Sequence, residues 1–218
     1  MTSSGTESIL FAGHALTLLP ARAVYWPSEQ VLAVADVHIG KDASFRACGV
    51  PMPSGATDKD LSKLAQLVND TRARTLVIVG DFLHASEGHA SSNKIADWRR
   101  SLTEVRVQVI RGNHDVRAGR LDEILGVEEL DELIIAGIAF VHDPAHADPQ
   151  TPTICGHIHP SYRLADFDRS SARVPCFVVD EHLLILPSFG SFTGSHSVDA
   201  AQGRSIYVTA AGRVVRVG

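Results

Sequence analysis

The chain sets histidine, aspartate and asparagine at five points, each just past an apolar run. Asp36-Val37-His38 follows the run 31–35, and Gly80-Asp81 follows 76–79. Gly112-Asn113-His114-Asp115 follows 105–110, His142 closes 138–141, and Gly156-His157-Ile158-His159 follows 153–155. A buried strand has no use for such side chains. Imidazole and carboxylate without thiolate suit Mn, Fe, Zn or a similar divalent ion. Residues two apart on a strand share a face, so Asp36 with His38, and His157 with His159, can each aim both side chains at one place. Seven candidate ligands (Asp36, His38, Asp81, Asn113, His142, His157 and His159) are too many for one tetrahedral ion. They suit two ions that share a carboxylate, about 3.5–4 Å apart.

Singly, these patterns say little. Gly-Asp after a strand is often only a turn, and Asn-His-Asp can cap a helix. Their succession at strand ends is what points to one site, because ligands of open α/β sheets bind beyond the carboxyl ends of the strands. The other histidines lack that context. His14, His89, His146, His182 and His196 read as surface or loop residues. His84, three residues after Asp81, is within reach of the site but is not counted as a ligand.

The elements that must position these residues fall into two halves. Short strands are expected at 9–11, 16–19, 23–26 and 31–35, the last apolar throughout, as for a strand buried on both faces. The run "SFRACGVPMPSGAT" reads as a loop. Leu61, Leu64, Leu67 and Val68 give "DKDLSKLAQLVND" helical spacing, with Thr57 as cap and Asp60 three residues on. "TLVIVGD" is a strand, "SNKIADWRRSL" a helix and "VRVQVIRG" a strand, an order of parallel β/α units. After about residue 130, β-like segments at 138–141, 153–155, 176–179, 183–186, 206–209 and 214–217 follow one another, with a turn in "TAAGR". Two packed sheets with helices outside accommodate both halves.

At 218 residues, one domain spanning 1–218 is expected, with no repeat or linker. Apolar content of 44% and charged content of 21% are ordinary for a globular protein. No apolar run approaches the ~18 residues of a membrane span. The polar stretch 1–7 does not read as a signal peptide, so a cytoplasmic location without membrane contact is expected. Cys48, Cys155 and Cys176 are widely spaced and read as buried, reduced thiols. The net charge of −5 gives no general attraction for nucleic acid, so any phosphate needs a local positive centre. Two divalent cations, less the charges of Asp36, Asp81 and a bridging hydroxide, leave roughly one positive charge there. No basic stripe is visible. Lys94, Arg99 and Arg100 lie near one another, and Arg163, Arg169 and Arg173 lie in the β-rich half; both groups read as ordinary solvated surface.

The ordered blocks "DVH", "GD", "GNHD", "VHD" and "GHIH", spanning Asp36 to His159, resemble the signature of the calcineurin-like metallophosphoesterase superfamily. The resemblance implies an α/β, four-layer αββα sandwich, two β-sheets flanked by helices, with a dinuclear site. "LLPARAVYWPSEQVLAVADVHIGK", "GVPMPSG", "GDFLH", "VHDP", "CGHIHPSYR", "PCF" and "LPSFGSFTG" are similar to the bacterial ligase-associated DNA-damage-response metallophosphoesterases (PdeM type), nearly end to end. That likeness implies a manganese-dependent phosphodiesterase or endonuclease (Fe, Zn or Co being other options), linked to DNA repair and associated with a DNA ligase and a helicase. It sets no oligomeric state. The superfamily pattern implies one metal on Asp36, His38 and His159, the other on Asn113, His142 and His157, and Asp81 between them. A hydroxide bridging the metals would attack phosphorus, His114 would protonate the leaving oxygen or stabilise its charge, and Asp115 would orient His114. A small-molecule phosphodiesterase or phosphatase would use the same centre with different walls. A scaffold of the same fold is expected to have lost parts of this set.

Overall fold

The computed structural model describes residues 5–165, 171–201 and 203–217. Its first half forms a sheet whose strands follow sequence order: β1 (Glu7–Phe11), β2 (His14–Leu19), β3 (Ala23–Trp26), β4 (Val31–Val34), β5 (Thr75–Val79), β6 (Arg106–Ile110) and β7 (Glu128–Leu130). β1 to β4 run antiparallel, while β4 to β7 are parallel. The connections between the parallel strands carry the helices α1 (Lys41–Ala47), α2 (Ala56–Thr71), α3 (Ser92–Arg100) and α4 (Asn113–Ala118).

The unbroken apolar runs of β4 and β5 follow from burial on both faces. Leu32, Val34, Leu76 and Ile78 pack outward against Leu61, Leu64 and Val68 of α2 and Ile95 and Trp98 of α3. Val31, Ala33, Val77 and Val79 point the other way, into the space between the two sheets, with Phe140, Ile154, Phe177 and Leu184. Each of the valine, leucine, isoleucine and phenylalanine side chains contributes about 1.5–3 kcal/mol when withdrawn from water.

The second sheet contains β8 (Leu133–Ile135), β9 (Ile138–Phe140), β10 (Thr153–Cys155), β11 (Pro160–Ala165), β12 (Ser171–Val179), β13 (Leu183–Ile185), β14 (His196–Ser197), β15 (Ser205–Ala210) and β16 (Arg213–Arg216). Its order is β14-β11-β12-β13-β10-β9-β8, with β15 on β12 and β16 on β15. β10 is parallel to β9 and β13, and β11 to β14; the remaining pairs are antiparallel. On its outer face, Val141, Cys155, Cys176, Val178 and Ile206 pack with Ala147, Ile158 and Val198. Two mixed sheets flanked by helices are therefore present, as expected.

Several local expectations are corrected. Part of the stretch read as a loop is α1, preceded by Gly40 in a left-handed conformation (φ 84°). Helix α2 begins earlier than expected and is led by Gly55, so Thr57 is not its cap. The Thr57 hydroxyl instead accepts from Gly40 N–H, and Asp60 accepts from the N–H and hydroxyl of Ser191. Cys48 is exposed, while Cys155 and Cys176 are buried. Arg169 lies outside the described residues.

Candidate metal centre

The parallel strands β4, β5, β6 and β10 all stop just short of their polar residues, and the loops that follow converge at one end of the sheet pair. The pairing within each motif does not come from strand pleat. Asp36, His38, Asp81, His157 and His159 all have left-handed backbone, with φ of 55°, 54°, 50°, 68° and 50°. Asp and His tolerate that region better than most residues. Such conformations still cost of order 1–3 kcal/mol each and persist only where the surroundings fix them. Here the surroundings do. Asp36 N–H donates to the Gly80 carbonyl and His38 N–H to that of Asp81. His157 N–H donates to the Asp36 carboxylate at 3.1 Å, crossing from one sheet to the other.

Two donor sets result. In the first, His159 Nε2 is 3.3 Å from Asp36 Oδ1 and 3.4 Å from His38 Nε2. In the second, His142 Nε2 is 3.2 Å from Asn113 Oδ1 and 3.0 Å from His157 Nδ1. Between them lies Asp81, with Oδ2 3.9 Å from His38 Nε2 and 3.6 Å from His142 Nε2. The residues of Asp36-x-His38 therefore serve one set together, whereas His157 and His159 separate, one to each set.

Two glycines make this approach possible. A Cβ on Gly80 would overlap the His142 ring, and one on Gly112 would overlap the Asp81 carboxylate. Asp36 and Asp81 are 0% and 2% exposed, and among the described residues no lysine or arginine is in an ion pair with either. Buried carboxylates facing converging imidazole nitrogens are a donor set that suits divalent cations.

Burial is the largest influence on the titration of His38, Asp81 and His159. Burial, followed by the charges of Lys41 and the neighbouring histidines, lowers His38 to about 2, which keeps it neutral as a ligand must be. Burial also raises Asp81, against the pull of His142 and the His114 N–H, with Asp36 adding to the rise. Cations in the two sets would reverse that direction. At His159 burial works downward, but the hydrogen bond and charge of Asp36 outweigh it and raise the group.

The two residues beside Asn113 have separate tasks. His114 N–H donates to Asp81 Oδ1, and its Nδ1 lies 2.5 Å from the carbonyl of His84. The expected Asp115–His114 contact is replaced by another arrangement. Asp115 is buried, and its carboxylate accepts from the N–H groups of Gly112 (3.0 Å), Phe82 (3.2 Å) and Leu83 (2.8 Å). It ties the loop after β5 to the start of α4, and so fixes the His84 carbonyl that orients His114. Burial raises it to about 6 in spite of those N–H groups.

Sequence reasoning left His84 and Lys41 without roles. His84 Nδ1 is 3.3 Å from His38 Nδ1, and its ring stacks on His114 at 4.8 Å. Lys41 is half-buried, and the charges of Asp81 and Asp36 act on it. The signals were present in "GDFLH" and "DVHIGK", one residue type each. His14, His89, His146, His182 and His196 enter neither donor set.

The "LPSFGSFTG" segment also gains a function. Ser188 Oγ and Gly190 N–H both donate to the Asp36 carbonyl, and Phe189 N–H donates to that of Ala35. The segment thereby clamps the loop carrying Asp36 and His38.

A family model described as calcineurin-like phosphoesterase matches residues 30–184. No curated protein sequence matches the chain. Among solved structures, the chain is similar to the nuclease MPE of Pseudomonas putida, with 37% identity, 97% of this chain and 100% of that one covered, and a TM-score of 0.85. The E. coli phosphoesterase Yfce is 13% identical over 86% of this chain and 97% of its own, with a TM-score of 0.44. A protein of unknown function, AQ665 from Aquifex aeolicus, is 20% identical over 59% of this chain and 78% of its own, with a TM-score of 0.40.

Proposed function

The chain belongs to the calcineurin-like phosphoesterase family, and from that membership we propose that this metal-dependent phosphoesterase is a DNA phosphodiesterase or endonuclease, active with two manganese ions. Residues 1–218 act as one catalytic unit in this reading. The observation that carries it is the position of Asp81, whose Oδ2 lies between His38 Nε2 and His142 Nε2. One carboxylate joining two sets of oxygen and nitrogen donors is the arrangement a dinuclear centre needs. DNA is favoured as substrate by the likeness to the Pseudomonas putida nuclease over nearly the full length of both chains.

Asp36, His38 and His159 would hold one cation, Asn113, His142 and His157 the other, and Asp81 both. Divalent cations there supply charge against the phosphoryl oxygens and lower the pKa of water, so that hydroxide is available near neutral pH. The protein's own groups do the rest. A carbonyl only accepts, so His114 carries its hydrogen on Nδ1 toward His84 and keeps Nε2 for proton exchange. With both ring nitrogens protonated, it donates the Nε2 proton to the departing oxygen and keeps the Nδ1 hydrogen on the His84 carbonyl. Asn113 offers a neutral amide oxygen, which leaves the centre more positive than a carboxylate would.

No helix among the described residues is long and apolar enough to cross a membrane. A cytoplasmic location, a place in DNA repair and functional association with a DNA ligase and a helicase belong to the same proposal. A second reading, a small phosphodiester as substrate, is favoured by the basic residues themselves. Lys94 pairs with Asp58 and Arg100 with Asp97, while Arg99 donates to the carbonyls of Gly126 and Leu102. These cations are already engaged and offer DNA little. Turnover on single-stranded DNA, cyclic nucleotides and phosphomonoesters across a metal panel separates the readings. Cleavage of DNA with Mn²⁺ supports the first, whereas turnover confined to cyclic nucleotides or monoesters overturns it.

A further inference from the structure

A polar pocket of about 210 Å³ lies directly behind His159. The His159 ring is the wall it shares with the metal centre. Nε2 faces Asp36 at 3.3 Å, and Nδ1 lies 3.2 Å from the carbonyl of Gly194, a residue that also lines the pocket. Two arginines contribute to the lining, Arg22 after β2 and Arg173 on β12, together with Ser191, Thr193 and Ser195. Among the described residues, Arg22 has one acceptor, the Ser188 carbonyl, and Arg173 has none. Asp60, whose charge acts on Arg22, uses its oxygens on Ser191.

A second observation points the same way. Arg163 on β11 stands directly across from Arg173 on β12 in antiparallel register. Cross-strand partners share a sheet face, and like charges there repel. Neither arginine has a carboxylate partner among the described residues. An anion seated beside them would relieve that repulsion. Guanidinium is the side chain best matched to phosphate, because its fork of donors can bond two oxygens at once. The volume falls below the roughly 300–1,000 Å³ of clefts for drug-sized ligands, so it suits a phosphate group better than a whole nucleoside.

We propose that this pocket holds the phosphate adjoining the scissile one, with Arg22 and Arg173 as its ligands, so that the enzyme reads a strand of at least two consecutive phosphates. The proposal rests on the nuclease reading and deepens it. It also gives an acidic protein a local means of gripping DNA without a basic stripe.

The test compares a dinucleotide containing one internal phosphodiester with the same dinucleotide carrying an added 5′- or 3′-phosphate. The wild-type enzyme cleaves one of the two phosphorylated forms with kcat/KM about tenfold above the parent, the scale of one charge-assisted hydrogen bond. In Arg173→Ala that advantage shrinks to about threefold or less. Arg22→Lys keeps the charge but loses the fork, and lowers the advantage in the same direction, with Tm reporting any loss of the Ser188 contact. Arg74→Ala removes a surface cation paired with Glu104 and leaves the advantage intact. Cleavage of the parent without benefit from either added phosphate overturns the subsite alone, as does a benefit that survives Arg173→Ala. Absence of any DNA cleavage by a metal-loaded enzyme that hydrolyses an aryl diester overturns the nuclease reading, and the subsite with it.

Discussion

The His114 imidazole is held through Nδ1 by the main-chain carbonyl of His84, 2.5 Å away, which leaves Nε2 free to give up a proton. An acid helps most when the departing oxygen is strongly basic. His114→Ala is therefore expected to lose roughly 10²–10⁴-fold in kcat on DNA, whose alkoxide leaves poorly. The loss on a p-nitrophenyl diester is expected to be clearly smaller, because the phenolate delocalises its charge. Both are measured at saturating metal, so that a binding defect is not read as a chemical one. Equal losses with metal occupancy intact would contradict the acid assignment.

Asp115→Asn tests the brace behind that histidine. Three backbone N–H groups converge on the Asp115 carboxylate, and an amide would turn donors toward some of them. A buried donor left unsatisfied costs about 1–3 kcal/mol. We expect a lower Tm together with a kcat loss on DNA milder than that of His114→Ala. Unchanged Tm with fully lost activity would mean that Asp115 acts in the chemistry itself.

Asp81→Asn is expected to cost more activity than His38→Ala or Asn113→Ala, since each of those belongs to one donor set and Asp81 lies between both. Metal content should fall in parallel. Two tightly held metals and near-native turnover in Asp81→Asn would refute the bridging position.

Gly80→Ala probes the close approach of the two sheets. The new Cβ would overlap the His142 ring, on a backbone with φ 83° that disfavours any side chain. Loss of metal from the Asn113–His142–His157 set and a lower Tm are expected. A variant that binds two metals with unaltered Tm would show that His142 is freer than the geometry implies.

How much of this was legible in the sequence varies from residue to residue. The structure brings all seven candidate ligands together at one candidate site, and each was marked in the sequence by an apolar strand ending in a polar group. Their division between two sets was not legible from strand periodicity, because the loops turn left-handed at Asp36, His38, Asp81, His157 and His159. Helix α1 was hidden because a seven-residue helix shows too little periodicity and a Pro/Gly-rich stretch follows it. The task of Asp115 depends on Phe82 and Leu83, more than thirty positions away. Such a contact leaves no local signal.

Lys63 offers a pH-dependent test of the segment that clamps Asp36. Its ammonium lies 4.0 Å from the centre of the Phe189 ring. Burial, then the charges of Arg22 and Lys59, outweigh Asp60 and lower it to about 8 from 10.5. The folded state thus holds fewer protons than the unfolded one between those values, and stability rises with pH across that window. Below pH 8 the full penalty is present, of order 1–2 kcal/mol once solvent screening and the ring contact are discounted. Lys63→Met is expected to be more stable than wild type at pH 7, with the gap closing towards pH 10.5 in urea denaturation. A gap that is absent at pH 7, or that widens with pH, would contradict the burial argument.

The central claim is a dinuclear phosphodiesterase centre joined by Asp81, and metal titration of the apo protein with activity followed at each step tests it most directly. Two Mn²⁺ ions bound per chain, DNA cleavage that reaches its maximum only with the second, and complete loss in EDTA are the predicted results. Saturation at one ion, or full cleavage in EDTA, would contradict it.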